Sequence, residues 1–255
     1  MIKICINNGK GGVSKTVSTC SIAGILANEL DKKVLIIDTD TQANASKLFG
    51  HKANDNFAQA LEDKLSLQNC IMPTQYKNIS IIPASNRLSA IGSDLKSMRN
   101  YATVLQDRMA GLNGFNYCLI DTAPSLDVIP QNAMAASDFV LIPLEASEYS
   151  IDGLIETRNT VDEIKTRANP GLKILGMFLA RVDTRTLFAK QIQSLVKQHW
   201  GDLVFETMIR NNISLTESIS DKKVITDYAP DSNGSQDYRS LVGEIRTRLG
   251  RYAHG

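Results

Sequence analysis

Lys10-Gly-Gly-Val-Ser-Lys-Thr16 decides how this chain is read. A short apolar segment, Met1-Ile-Lys-Ile-Cys-Ile6, precedes it and predicts a first β-strand. Beyond it, Ile22, Ile25, Leu26 and Leu30 fall at the spacing of one helix face. A glycine-rich turn between a strand and a helix lets backbone N–H groups converge on an anion, and the helix N-terminus adds partial positive charge. Extended by one turn residue the stretch reads Gly9-Lys-Gly-Gly-Val-Ser14-Lys15-Thr16, close to G-x-x-x-x-G-K-[ST]. Lys15 is then placed to reach the β- and γ-phosphates of a nucleotide, and the Thr16 hydroxyl to ligate Mg²⁺. Gly9, Lys10, Gly11, Gly12, Val13, Ser14, Lys15, Thr16 and Val17 form the expected cradle. Serine stands at position 14, where the general pattern has its second glycine.

Working outward, Lys33-Val-Leu-Ile-Ile-Asp38 is a continuous apolar run of the kind buried on both faces of a parallel sheet. It ends in Asp38-Thr-Asp40. Two carboxylates at a strand end beside a phosphate loop are costly unless they meet Mg²⁺ or act on water. Phe115-Asn-Tyr-Cys-Leu-Ile-Asp121-Thr-Ala-Pro124 repeats the pattern of an apolar run closing on an acid, and marks Asp121 as a water-mediated Mg²⁺ holder. Thr16, Asp38 and Asp121 are the expected metal set.

Further strands are predicted at Asn78–Pro83, Phe139–Pro143, Lys173–Leu179 and, briefly, Leu203–Phe205. Helical spacing covers Phe57–Leu67 and residues 88–112 (Leu88, Ile91, Leu95, Met98, Leu105, Met109, Leu112), with a break near Arg99–Tyr101. It recurs at 187–200 (Leu187, Ile192, Leu195, Val196, Trp200) and from about Gln236 to Tyr252, behind a loop at 227–235. Strands alternating with helices predict an α/β fold, a mostly parallel twisted sheet with helices on both faces. We expect a single P-loop NTPase domain over residues 1–255, without repeats or linkers.

The sequence is 43% hydrophobic and 22% charged, which places it among ordinary soluble globular chains. A net charge of +1 supplies no global field for nucleic acid, so any DNA contact needs a local basic patch. No apolar run approaches the ~20 residues of a membrane span, and no signal-peptide core is present; a cytoplasmic protein is expected. Cys5, Cys20, Cys70 and Cys118 form no C-x-x-C or Cys/His cluster and read as buried thiols, which argues against an iron–sulfur-bridged relative.

The spacing K-G-G-x-x-K-T resembles the deviant Walker A motif of the ParA/MinD family. Asp38-Thr-Asp40-Thr-Gln42-Ala-Asn44 resembles that family's D-x-D-P-Q-x-N segment, with threonine at 41 for proline. Residues 121–124, 148–154 and 208–217 follow in the order of ParA/Soj-type partition ATPases. The resemblance implies an ATP- and Mg²⁺-dependent homodimer in which Lys10 reaches across to the partner's phosphates. Lys10, Lys15, Asp38 and Asp40 are the implied catalytic set, with Asp40 polarising the attacking water and Asp38 steadying the Mg²⁺ shell. It further implies binding to non-specific DNA, association with the nucleoid, and hydrolysis stimulated by a ParB-like centromere-binding partner. Arg185 matches a family DNA-contact position, but the second such arginine is Ser214 here; Lys190, Arg210, Lys222 and Arg246 are candidate replacements, as are Lys223, Arg239 and Arg248. The family's adenine-facing Pro-Arg-Asn reads Arg210-Asn211-Asn212, which nominates Asn211 and Asn212 for the base.

Rival readings are a MinD-like membrane-cycling regulator and a ParA-like positioner of a protein cargo, with a dethiobiotin-synthetase-like ligase more remote. The first needs an unpartnered amphipathic C-terminal helix. Leu241, Val242, Ile245 and Leu249 instead suit a helix docked on the core, so a membrane role is not expected. The chain opens directly in its first strand, without a preceding helix-turn-helix, so operon repression is not expected of it.

Overall fold

The computed structural model describes residues 1–98, 100–147 and 150–253. Strand β1 (Ile2–Ile6) leads into α1 (Lys15–Gly24), which continues as one π-helical turn over Ile25–Glu29. There follow β2 (Val34–Asp38), α2 (Asn44–Leu48), α3 (Asn56–Leu61), β3 (Met72–Pro73), β4 (Ile79–Ile82), α4 (Leu88–Lys96), α5 (Val104–Met109) and β5 (Tyr117–Asp121). Then come α6 (Val128–Ala135), β6 (Phe139–Glu145), α7 (Ser150–Arg167), β7 (Lys173–Ala180), α8 (Leu187–Trp200), α9 (Ile213–Ser220), α10 (Ile225–Tyr228) and α11 (Asn233–Ala253).

The strands form one seven-stranded sheet in the order β3-β4-β2-β5-β1-β6-β7, parallel except for the short edge strand β3. Its two faces can be read residue by residue. In β2, Leu35 and Ile37 join the core packed by α3 to α8, while Val34 and Ile36 join the core packed by α1, α2 and α9 to α11. This alternation within a wholly buried strand is why the sequence shows a continuous apolar run rather than a polar/apolar beat. In register, Asp38 of β2 lies opposite Asp121 of β5, and Ile6 of β1 lies opposite Asp121 from the other side. The phosphate loop and both acidic strand ends therefore meet at the carboxyl edge of the sheet, where open α/β folds place ligands.

Several expectations are corrected. The helix expected over 57–67 ends at Leu61, because Asp63 turns into the left-handed region (φ 64°). The 88–112 pattern is two helices, and Met98, beyond the end of α4, is 51% exposed rather than part of the buried stripe. The expected break falls partly on Arg99, outside the described residues. Leu203–Phe205 is a 3₁₀ turn and a single bridge from Val204 to Met177, not a strand. In α8 the buried stripe is Ala189, Ile192, Val196 and Trp200, and Leu187 in the first turn is 76% exposed. Part of the 227–235 loop is helical, since α10 runs to Tyr228 and α11 starts at Asn233. Leu241, Val242, Ile245 and Leu249 are buried as expected, so α11 spends its apolar face on the core. No helix among the described residues is long and apolar enough to cross a membrane.

Candidate nucleotide site

At the carboxyl edge the loop after β1 closes on itself. Gly12 (φ +78°) takes a backbone conformation that glycine alone adopts freely, and Ser14 (φ 65°) takes one that a residue with a Cβ enters at a cost. Asn8 braces the turn: its Nδ2 donates to the Pro143 carbonyl (2.8 Å) and its Oδ1 accepts from the Lys10 N–H (2.9 Å). The buried Lys15 ammonium donates to the Asn8 and Lys10 carbonyls, each at 2.9 Å. Burial pulls its pKa down to about 8. The charge that would meet a phosphate is thus held in place by the loop's own oxygens.

The acids stand behind. The Thr16 hydroxyl donates to Asp121 Oδ2 (2.7 Å) and Thr19 to Oδ1 (3.2 Å). Asp38 accepts the Ser46 N–H (2.8 Å) and hydroxyl (2.6 Å) on one oxygen and the Asp40 N–H (3.1 Å) on the other. Both carboxyls are fully buried; burial raises both pKa values, with repulsion from Asp40 adding at Asp38 and from Asp38 and Asp40 at Asp121. Asp38 thus bonds to the turn that carries Asp40.

A cavity of about 560 Å³ opens in front, lined by residues Gly12 to Val17, by Asp40, Gln42 and Asn44, and by Asn211 and Asn212. Gly9, Lys10 and Gly11 are not in its wall. Lys10 turns aside: its ammonium donates to the Ser147 hydroxyl (3.1 Å) and pairs with Glu145 at the end of β6 (3.4 Å). The 148–149 part of the resembling segment lies outside the described residues.

Two arginines in the wall had not been assigned to it. Arg210, nominated for DNA, faces this cavity and is forked onto Asp237 (2.7 Å at the closest). Arg181 also lines the wall, against Gly12 of the loop. Its position just beyond the strand run ending at Ala180 was the available signal, because ligands gather at such strand ends. Two of the other nominated cations are also committed internally. Arg239 pairs with Glu29, and Arg248 donates to the Leu175 and Leu203 carbonyls over the Phe205 ring. Arg185 is exposed in an Asp183 fork, whose hydrogen bonds pull the Asp183 pKa down to about 2. Lys190, Lys222, Lys223 and Arg246 are exposed and distributed over α8, the turn after α9, and α11.

Among the described residues no three His, Cys, Asp or Glu side chains are grouped to hold a metal ion. The hard oxygens of Thr16 and of Asp121 behind it, beside an anion cradle, suit Mg²⁺ instead, which takes few protein ligands and completes its shell with phosphate and water.

Comparison with known proteins agrees with this arrangement. A family model described as an AAA domain matches residues 1–174. The chromosome partitioning protein ParA of Myxococcus xanthus is 34% identical over 96% of this chain and 88% of its own length. The chromosome-partitioning ATPase Soj of Thermus thermophilus is 32% identical over 97% of this chain and 96% of its own. Apo McdA of Cyanothece superposes with a TM-score of 0.88 over 98% of this chain and 99% of its own, at 23% identity. By sequence over nearly its whole length, this chain belongs to the ParA/Soj family of partitioning ATPases.

Proposed function

We propose that the chain is an ATP-switched partition ATPase whose ATP-bound homodimer holds non-specific DNA and releases it on hydrolysis. The observation that carries this reading is the division between two lysines of one loop. Lys15 is buried in the loop and faces the cavity, whereas Lys10 stands on the rim, its side chain 37% exposed and outside the cavity wall. A rim cation does nothing for its own cavity but is placed to serve one presented by a second copy. A cation supplied in trans makes the γ-phosphate part of the dimer interface and stabilises transition-state charge.

Within one site the roles follow from position. Loop N–H groups between Gly12 and Val17 hold the β-phosphate, and Lys15 leaves its two carbonyls for phosphate oxygens. Asp40, oriented by the bonds of Asp38 and by its own Oδ1 accepting the Gln42 N–H (2.9 Å), orients the attacking water. Thr16, with Asp121 behind it and Asp38 further back, would hold Mg²⁺, which neutralises phosphate charge. Asn211 and Asn212 line the base end. Arg185, Lys190, Lys222 and Arg246 are the exposed candidates for DNA phosphates, with Arg210 withdrawn into its Asp237 pair. A ParB-like partner accelerates hydrolysis, and the protein works in the cytoplasm on the nucleoid.

The test is DNA binding by the purified protein with ATP, ADP or no nucleotide, at fixed salt, because phosphate-driven binding falls steeply with salt. Binding that requires ATP, is lost in Lys10→Ala and persists in Asp40→Ala supports the switch. Absence of binding in every nucleotide state rules out DNA as the track.

A further inference from the structure

The cations around the cavity differ in what already satisfies them. Lys15 is held by two loop carbonyls, Arg210 by Asp237, and Lys10 lies outside against Glu145 and Ser147. Among the described residues, Arg181 has one long hydrogen bond, from Nη1 to the Gly12 carbonyl (3.3 Å). Among the described residues no ion pair engages it.

Its backbone is unusual as well. Arg181 sits in the left-handed region (φ 57°), which is unfavourable for any residue bearing a Cβ. The strand neighbour fixes it there. Val182 donates its N–H to the Ile209 carbonyl (3.0 Å) and accepts the Asn211 N–H (2.9 Å), forming a parallel bridge with Arg210. The strained turn brings the side chain back onto the phosphate loop instead of letting it follow β7 into solvent. Strain held in place by its surroundings beside a ligand cavity points to a use for the side chain.

We propose that Arg181 is a nucleotide-binding residue that recognises the polyphosphate, its guanidinium exchanging the Gly12 carbonyl for phosphate oxygens when a nucleotide enters. The inference rests on the reading of this cavity as a nucleotide site. Guanidinium presents five N–H donors in a planar fork that matches phosphate, and one long bond to a carbonyl leaves most of them unused. The exchange also unlatches the phosphate loop from the strand end bonded to the 209–211 segment, so occupancy is felt on both sides of the cavity.

The experiment is calorimetric titration of the full chain with Mg-ATP, Mg-ADP and Mg-tripolyphosphate, comparing wild type, R181Q, R181K and R181G, with K165Q, at an exposed position of α7, as a surface-charge control. R181Q and R181G should weaken all three ligands by similar factors, roughly ten- to a hundredfold. R181K should recover part of the loss, and K165Q should bind as wild type does. R181G, freed of the backbone strain, should melt no lower than wild type, which separates lost contact from lost folding. Unchanged affinities in R181Q overturn the proposal. Weakened ATP and ADP with unchanged tripolyphosphate overturn it too, since the contact would then lie on base or ribose. A wild type that binds none of the three overturns the site reading itself, and this inference with it.

Discussion

Lys15 and Arg248 are in nearly the same local state and do opposite things. Each is a cation drawn out of water whose hydrogen bonds go to two backbone carbonyls: Asn8 and Lys10 for the lysine, Leu175 and Leu203 for the arginine. Burial lowers the pKa of both. The difference is what lies beyond. Lys15 borders the 560 Å³ cavity, so its bonds can be exchanged for better ones. Arg248 is stacked on Phe205 at 4.0 Å and fills the space a side chain at Gly176 would need; a Cβ there would lie 2.3 Å from its Nη1. One cation stands at an open cavity, while the other plugs the core. Hydrogen bonds to carbonyls do not by themselves distinguish a functional cation from a structural one, whereas open volume beside the group does.

That contrast is open to direct attack. Lys15→Ala should reduce ATP hydrolysis by about 10²–10³-fold, the scale of removing one transition-state donor, with little change in thermal unfolding. Arg248→Ala should do the reverse. It strands two carbonyls and empties the space over Phe205, lowering stability by about 2–3 kcal/mol in denaturant titrations, with hydrolysis per folded molecule intact. If Arg248→Ala lost turnover while staying fully folded, the assignment of that arginine to the core would fail.

A smaller effect concerns the acids. The raised pKa values of Asp38 and Asp121 mean that the empty folded protein binds more protons than the unfolded chain above the ordinary carboxylate pKa. Stability should therefore decline as pH rises from about 4 through the elevated folded values. In metal-free, nucleotide-free buffer the melting temperature should fall between pH 5.5 and 7.5. Asp121→Asn should flatten that slope and stabilise the empty protein by about 1.4 kcal/mol, one pKa unit's equivalent, while removing Mg²⁺-dependent hydrolysis. An unchanged slope in the variant would show that Asp121 is not strained by its burial. The smallest effect is expected from Ser14→Gly, which relieves the left-handed backbone and should add about 1 kcal/mol to stability with the loop still competent for nucleotide.

Ser14 also shows how legibility varied along the chain. The loop pattern located the turn that lines the cavity, and glycine's absence at 14 was visible, but only the φ of 65° explains what the pattern's glycine is for. Buried parallel strands were readable because both faces are apolar, as in Val34–Ile37. Short edge strand β3 was not, since the two residues Met72–Pro73 offer no periodicity and form a strand only by pairing with β4. The cations were hardest. Arg181, Arg210, Arg239 and Arg248 look alike in sequence, and only the partner each one meets, contributed from far along the chain, separates nucleotide wall, ion pair and core plug.

Helix α11 grips the far side of the cavity with two carboxylates. Asp237 holds Arg210, and Glu244 accepts the Glu206 and Thr207 N–H groups at 2.9 and 2.8 Å. The residues that cradle phosphate leave the ribosome long before the residues that fasten the 206–212 segment. A nascent chain paused before residue 233 would own the glycine-rich loop without a fastened 206–212 segment, and the cavity should be complete only once α11 has been made and has docked. Truncation at that point should yield a protein that discriminates poorly between ATP and other triphosphates.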